Sequence, residues 1–167
     1  MNNLRYRTGL KRFGAAIIDG IVFLPFVVIE NWLFGNTESL AVRMVWTFFL
    51  LILTCFYSIF LHYKYGQTIG KWVTGVKVLD IGELKTMSFK QSVIRDSFYL
   101  ITEILAVLYF TYLFFSASQT DNLFEDYSNF KSYPILIWTL LELITMLTNN
   151  KRRAVHDFIA KSVVVQV

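Results

Sequence analysis

Cysteine and charge are both scarce in this 167-residue chain. Cys55 is the only cysteine, which excludes a disulfide bond within the chain and a metal site built from several thiolates. Charged residues make up 17% of the chain, whereas hydrophobic residues make up 55% and the mean hydropathy is +0.49. This composition is too apolar for a soluble domain of this length, so it predicts a single membrane domain over residues 1–167.

The apolar runs lack the polar stripe of a soluble amphipathic helix. Residues 47–61, TFFLLILTCFYSIFL, are apolar around the whole helix circumference and lie in a run of about bilayer length. No small-x-small cleavage site follows the first run, so we expect a retained helix and not a signal peptide. The predicted membrane spans cover residues 13–34, 42–63, 97–116 and 132–148.

The basic residues are distributed unequally between the segments that join these spans. If both termini and a predicted cytoplasmic loop at 64–96 share one side, that side holds 14 of the 16 Lys and Arg residues. Only Arg43 and Lys131 lie on the other side. Cytoplasmic loops carry an excess of Lys and Arg, so the distribution predicts an all-α, four-helix membrane bundle with cytoplasmic N- and C-termini.

The loop at 64–96 contains a glycine-rich stretch that is not a nucleotide-binding motif. GQTIGK at 66–71 has three residues between its glycines where a phosphate-binding loop has four, and Trp72 stands where a hydroxyl is needed. We therefore interpret Gly66, Gly70 and Gly75 as packing glycines that let a surface helix approach the membrane helices closely.

Short β-prone segments predict a small cytoplasmic sheet beside the membrane helices. Residues 76–80 alternate in polarity, a turn candidate follows, and residues 162–166 are rich in valine. Because an isolated hairpin is only marginally stable, we expect three strands, at about 76–80, 84–88 and 162–166. A short amphipathic helix is predicted at about 151–161.

Charged side chains within apolar segments are the candidate functional residues. Arg12 and Asp19 are seven residues apart and therefore lie on one face of the first helix. Glu103 and Glu142 fall near mid-depth in the third and fourth spans, and His156 lies near the cytoplasmic mouth. Ionisable residues in a membrane are functional candidates, so Asp19, Glu103, Glu142 and His156 are predicted ion or proton sites.

Each of these residues also has a structural interpretation, which stays open. Arg12 and Asp157 could form a clamp that holds the C-terminal helix under the bundle. Glu103 and Glu142 could share a proton and only join two helices, and His156 could be an ordinary surface residue.

Three separated blocks carry a resemblance to a known family. They are Arg12-x6-Asp19, then GQTIGK at 66–71 followed by Gly75 and Val78, then Arg153-Ala-Val-His156-Asp157-x2-Ala160. In this order, over residues 12–165, they resemble the RDD family of bacterial membrane proteins, named for one arginine and two aspartates. The resemblance implies that Arg12, Asp19 and Asp157 are the family residues and that the protein is multi-pass in a bacterial cytoplasmic membrane.

Two functional classes follow from this resemblance and from the residues. Transport is suspected for the family, and cation/proton antiport is proposed for some members, with Asp19, Glu103 and Glu142 as carboxylate sites here. Four helices seldom enclose a pathway, so this version requires a homo-oligomer. The alternative is a non-catalytic membrane partner that regulates or stabilises another membrane protein.

The sequence also favours several absences. It contains no nucleophile and base pair, no metal-ligand cluster and no cofactor loop, so we expect no enzyme activity, no metal and no cofactor. The expected partners are the lipid bilayer and membrane proteins, and not nucleic acid.

Overall fold

The computed structural model describes residues 4–36, 39–115 and 123–167. Helices make up most of this part of the chain, and two short strands form one small sheet. In chain order the elements are α1 (Gly9–Asn36), α2 (Leu40–Cys55), a π-helical turn π1 (Phe56–Phe60), α3 (Leu61–Tyr65), α4 (Ile69–Val73), β1 (Val76–Asp80), α5 (Phe89–Phe115), α6 (Leu123–Thr148), α7 (Val155–Ile159) and β2 (Ser162–Gln166).

Within the described residues, two helices are long and apolar enough to cross a membrane. They are Gly9–Leu33 within α1, and Ala41–Tyr65, which runs from α2 through π1 to the end of α3. A shorter apolar helix, Ser132–Thr148, lies within α6. These helices coincide with three of the four predicted apolar segments, which supports a membrane protein by length and composition.

The third long helix, α5, begins at Phe89 and not at the predicted residue 97. Ser88 and Gln91 start it early, because each side chain accepts a hydrogen bond from the backbone N–H of the other, as in a capping box. The predicted loop 64–96 is therefore too long, and Arg95 and Asp96 lie on a helix. The predicted end of this segment at 116 lies outside the described residues.

The second helix is interrupted by π1 and ends at a glycine. A π-helical turn inserts one extra residue into the helical register, which redirects the side chains around it. Gly66 follows α3 with φ +69°, the left-handed conformation that closes many helices. A Cβ at Gly66 would lie 2.6 Å from the carbonyl oxygen of Val78. The chain thus turns sharply towards α4 and β1.

The sheet has two strands, not the three that the sequence predicted. Strands β1 and β2 pair antiparallel, from Val76 opposite Gln166 to Asp80 opposite Ser162. The prediction for 84–88 is wrong for a physical reason at the free edge of β1. There the N–H of Val78 donates to Gly66 O at 2.7 Å, and the N–H of Asp80 donates to Lys85 O at 3.0 Å. Residues 84–88 therefore meet β1 at its end but do not pair along it, because Gly66 occupies the middle of that edge.

The C-terminal helix is shorter than the predicted 151–161. Helix α7 covers only Val155–Ile159. The residues before it form a turn in which the side chain of Asn149 accepts from the N–H of Arg153, and Lys161 at φ 51° ends the helical stretch. Residues 151–161 therefore form a turn, then the short helix α7, and then a second turn that leads into β2.

Packing places α5 at the centre of the bundle. Helix α5 contacts α2, α6 and α7, whereas α1 packs against α2 and α4. Below the helices, Val76, Val78, Met87 and Val164 form a fully buried apolar cluster at the sheet. The sheet and α7 thus cover one end of the bundle, where the charged residues described next converge.

Candidate functional site

The side chain of Asp157 is fully buried and joins several elements of the site through hydrogen bonds. Its two oxygens accept hydrogen bonds from Arg12 Nη1 at 2.7 Å, Arg95 Nε at 3.2 Å, Ala154 N at 3.1 Å and Ser162 Oγ at 3.3 Å. Burial alone would raise the pKa of Asp157, but the neighbouring positive charges, that of Arg12 foremost, hold it well below its ordinary value. Asp157 is therefore an ionised carboxylate with a full set of donors.

Arg95 is the centre of the charged cluster, and the sequence interpretation missed it. Its guanidinium donates to Asp157, lies 3.2 Å from His62 Nε2 and 2.7 Å from His156 Nε2, and is 3.7 Å from Asp96. Its side chain is only 4% exposed. The predicted loop at 64–96 includes Arg95, whereas α5 begins at Phe89 and carries Arg95 in its second turn. The useful signal was Asp96, which is seven residues before Glu103 and so on the same face.

The hydrogen bonds of His62 define its tautomer. Its Nε2 lies 2.7 Å from Lys71 Nζ and 3.2 Å from an Arg95 nitrogen, and both of these groups donate. Nε2 must therefore accept, so Nδ1 carries the proton and donates to Asp96 Oδ2 at 3.0 Å. His62 is neutral in this arrangement.

His156 has the same pattern on the other side of Arg95. Its Nε2 accepts from Arg95, which leaves the proton on Nδ1, directed at Glu142 Oε1. The imidazole is partly buried and not a surface group, with a side chain 13% exposed. His156 and Glu142 therefore form a carboxylate and imidazole pair inside the protein.

Lys71 is an amine held among other cations. Its Nζ contacts the neutral Nε2 of His62, and within the described residues it forms no salt bridge with a carboxylate. Loss of hydration on burial, followed by the charge of Arg95, lowers the pKa of Lys71 to about 7. The amine is thus close to the point where it gains or loses a proton at neutral pH.

Asp19 joins α1 to α4, and its described hydrogen-bond donors do not include Arg12. Its carboxylate accepts from Tyr57 Oη at 2.6 Å, Thr68 Oγ1 at 2.7 Å and Gly70 N at 2.8 Å. The π turn places Tyr57 where it can reach this carboxylate. Three donors satisfy Asp19 without a cation, which makes it a fastening between the two helices.

The three predicted packing glycines have different reasons to be glycine. A Cβ at Gly70 would lie 2.1 Å from Ala15 O and 2.9 Å from Asp19 Cγ, so α4 approaches α1 too closely for any side chain there. Gly66 and Gly75 instead have φ of +69° and +65°. Their backbone conformation, more than helix contact, favours glycine.

A cavity of about 750 Å³ lies above this cluster, inside the bundle. Its carboxylates are Asp19, Asp96, Glu103 and Glu142. Glu103 on α5 and Glu142 on α6, which the sequence predicted at similar depth, both line it. The cavity thus brings the predicted ion or proton sites to one space.

The donor set does not resemble a metal centre. Within residues 4–36, 39–115 and 123–167, no three His, Cys, Asp or Glu side chains are grouped to hold a metal ion. The carboxylates of the cluster are instead bonded to arginine, histidine, hydroxyl and backbone donors.

These features define a helical membrane domain whose interior holds a paired network of arginine, histidine and carboxylate side chains. The chain matches the family model described as RDD family over residues 6–161. It therefore belongs to the RDD family. Arg12 and Asp157 are paired within this network, and Asp19 lines the same cavity. No curated protein and no solved structure matched the chain.

Proposed function

We propose that this RDD-family protein spans a bacterial cytoplasmic membrane four times, with both termini in the cytoplasm, and exchanges protons for a small cation. Helices α5 and α6 contain 27 and 26 residues, which is enough for each to cross a bilayer. The positive-inside distribution of Lys and Arg supports the orientation.

The observation that carries the transport proposal is the pair formed by Glu142 and His156 at the cavity wall. A carboxylate in an apolar span needs a proton, a cation or a hydrogen-bond donor, and here a neutral imidazole supplies the donor. A cation entering the cavity can bind the carboxylates of Glu142 and Glu103. In the structure Glu142 is an ionised acceptor of the His156 Nδ1–H. In the proton-loaded state of this proposal Glu142 carries a proton instead, and it releases that proton to the cavity when the cation binds its carboxylate.

In this proposal the three family residues position the site and do not carry the ion. Asp19 and Asp157 already accept several hydrogen bonds each, and Arg12 is bound to Asp157. The residues assigned to the exchange site line one cavity of this chain. Assembly into a homo-oligomer stays a prediction.

Ion exchange in liposomes tests the proposal. We expect purified protein in vesicles with an acidic interior to release protons when sodium, lithium or potassium is added, as measured with an entrapped pH-sensitive dye. Glu142→Gln keeps an acceptor for His156 but cannot ionise, so it should abolish the release. Glu83→Gln is the control, because Glu83 binds Arg5 and Lys151 outside the cavity. Equal exchange by wild type and Glu142→Gln would contradict the proposal.

A second candidate function is a non-catalytic membrane partner, and the network itself favours it. Fully bonded carboxylates such as Asp157 and Asp19 behave as fastenings that need no ligand. In that case no cation should release protons from the vesicles, while the protein stays folded and inserted. Co-purification with another membrane protein from native membranes would then be the supporting measurement.

A further inference from the structure

The least packed side of the cavity lies between α1 and α6. Helix α1 packs mainly against α2 and α4, and α6 against α5 and α7, while Met146 of α6 lies 3.6 Å from the position of a Cβ at Gly9, the first residue of α1. The lining residues that are also exposed include Leu10 and Phe13 on α1 and Leu143 and Leu147 on α6, with exposed fractions of 88%, 67%, 47% and 63%. The rim is therefore apolar and faces the region that acyl chains occupy in a membrane.

The charged end of the same cavity has unused hydrogen-bond donors. Arg12 Nη1 binds Asp157, but its Nη2 is buried and has no partner among the described residues. Arg152 also lines the cavity, and its Nη1 lies 3.8 Å from the position of a Cβ at Gly9, one turn before Arg12. Its side chain forms no hydrogen bond or ion pair within the described part of the chain. Lys71 has only a neutral acceptor.

Most carboxylate oxygens at this end of the cavity already accept hydrogen bonds, and Asp96 Oδ1, which accepts none within the described residues, lies 3.7 Å from Arg95 Nη1. Asp157 accepts four hydrogen bonds, Asp19 accepts three, and Asp96 accepts from Ser58 and His62. A buried cationic donor without a partner is costly, so the site favours a ligand that brings anionic oxygens. A cationic ligand would leave Arg12 Nη2 unsatisfied.

We propose that this cavity binds one anionic phospholipid, with its phosphate against Arg12 and Arg152 and its acyl chains leaving between α1 and α6. Phosphate oxygens match guanidinium donors, and basic pockets between membrane helices bind anionic headgroups. A soluble phosphate would satisfy the donors but would leave the apolar rim and the least packed side uncovered. A phospholipid covers both, and it closes the side through which Glu142 would otherwise face the acyl chains.

Lipid binding is independent of the proposed cation exchange, because it involves the hydrogen-bond donors Arg12 and Arg152 and not the carboxylates Glu103 and Glu142. It is tested with the full-length protein in mild detergent, supplied with phosphatidylglycerol or phosphatidylcholine and examined by native mass spectrometry. We expect one phosphatidylglycerol per chain to stay bound and phosphatidylcholine to be lost. Arg152→Gln should weaken phosphatidylglycerol binding about tenfold, since it removes a charge-assisted contact.

Lys64→Gln is the matched control. Lys64 is an exposed cation beside Phe60 and Tyr65 near the same end of the bundle, and it does not line the cavity. Its removal should leave binding unchanged. An equal loss in both variants would overturn the proposal in favour of diffuse surface charge, and equal retention of phosphatidylcholine would overturn the preference for an anionic headgroup. Binding of soluble glycerol phosphate as tight as that of the lipid would overturn the assignment to a lipid. Unfolding temperatures of both variants confirm that each is folded.

Discussion

Replacing Gly70 with alanine should separate α4 from α1. The added Cβ would lie 2.1 Å from Ala15 O and 2.9 Å from Ala15 C, and these are backbone atoms that cannot rotate away. Helix α4 must therefore move outwards. That movement stretches the bond of 2.8 Å from Gly70 N to the carboxylate of Asp19.

The magnitude follows from these two effects. Overpacking of this kind costs roughly 1–3 kcal/mol. A weakened hydrogen bond to a charged acceptor adds roughly 1.5–3 kcal/mol when it is lost completely. The structure relaxes around the new side chain, so only part of each cost is realised, and we expect the free energy of unfolding to fall by about 3 kcal/mol. For a chain of this size this corresponds to a drop of roughly 6–12 °C in Tm.

The single cysteine provides the assay. Cys55 is partly buried in the second helix, so a thiol-reactive fluorogenic dye reports its exposure as the protein unfolds in detergent. Gly20→Ala is the control, because a Cβ at Gly20 meets nothing within 4 Å. Alanine is also the better helix former, so the control should melt at or slightly above the wild-type temperature. A Gly70→Ala protein that melts with the wild type would refute the close-approach argument.

Three further predictions concern the charged cluster. Asp157→Asn leaves Arg12 and Arg95 without their buried counter-charge, so it should destabilise the fold by about 3–5 kcal/mol, measured by thermal melts followed by circular dichroism. Folding depresses the pKa of Asp157, so this carboxylate stabilises the fold at pH values above its ordinary pKa of 3.8. That stabilisation is lost as the pH falls below 3.8. A wild-type Tm that stays flat down to about pH 2 would contradict this. Folding lowers the pKa of Lys71 from 10.5 to about 7. Between about pH 7 and pH 10.5 the unfolded chain therefore binds more protons than the folded chain, so the free energy of unfolding should rise with pH. Lys71→Gln should remove that rise, and an identical rise in the variant would show that another group causes it.

Several parts of the fold were predictable because local patterns determine them. The uninterrupted apolar character of residues 47–61 predicted a membrane-length helix, and the structure confirms one at Ala41–Tyr65. The valine-rich segment at 162–166 was predicted to pair with residues 76–80, and β2 does pair with β1. Strand propensity and hydrophobic period are properties of short windows, so one sequence is enough to read them.

The network around Arg95 could not be predicted in the same way. His62, Arg95 and His156 come from three separate helices, and their contact depends on how α3, α5 and α7 meet. The prediction of a third strand at 84–88 is wrong for a related reason, because Gly66 occupies the middle of the β1 edge and leaves only a hydrogen bond from Asp80 N to Lys85 O at its end. Strand propensity describes the conformation that a segment favours. It does not determine which other segment of the chain occupies the hydrogen-bonding edge beside it.

The separation of the paired residues along the chain determines the order in which they can meet during synthesis. Asp19 is 49 residues from Thr68, so this carboxylate gains a partner soon after the second helix is made. Arg12 is 145 residues from Asp157, so its counter-charge is translated only after α6. In the proposed topology the first helix is therefore made, and inserted, before the acidic partner of its arginine exists. The ion pair between Arg12 and Asp157 can form only late in synthesis, and it then joins the first helix to α7.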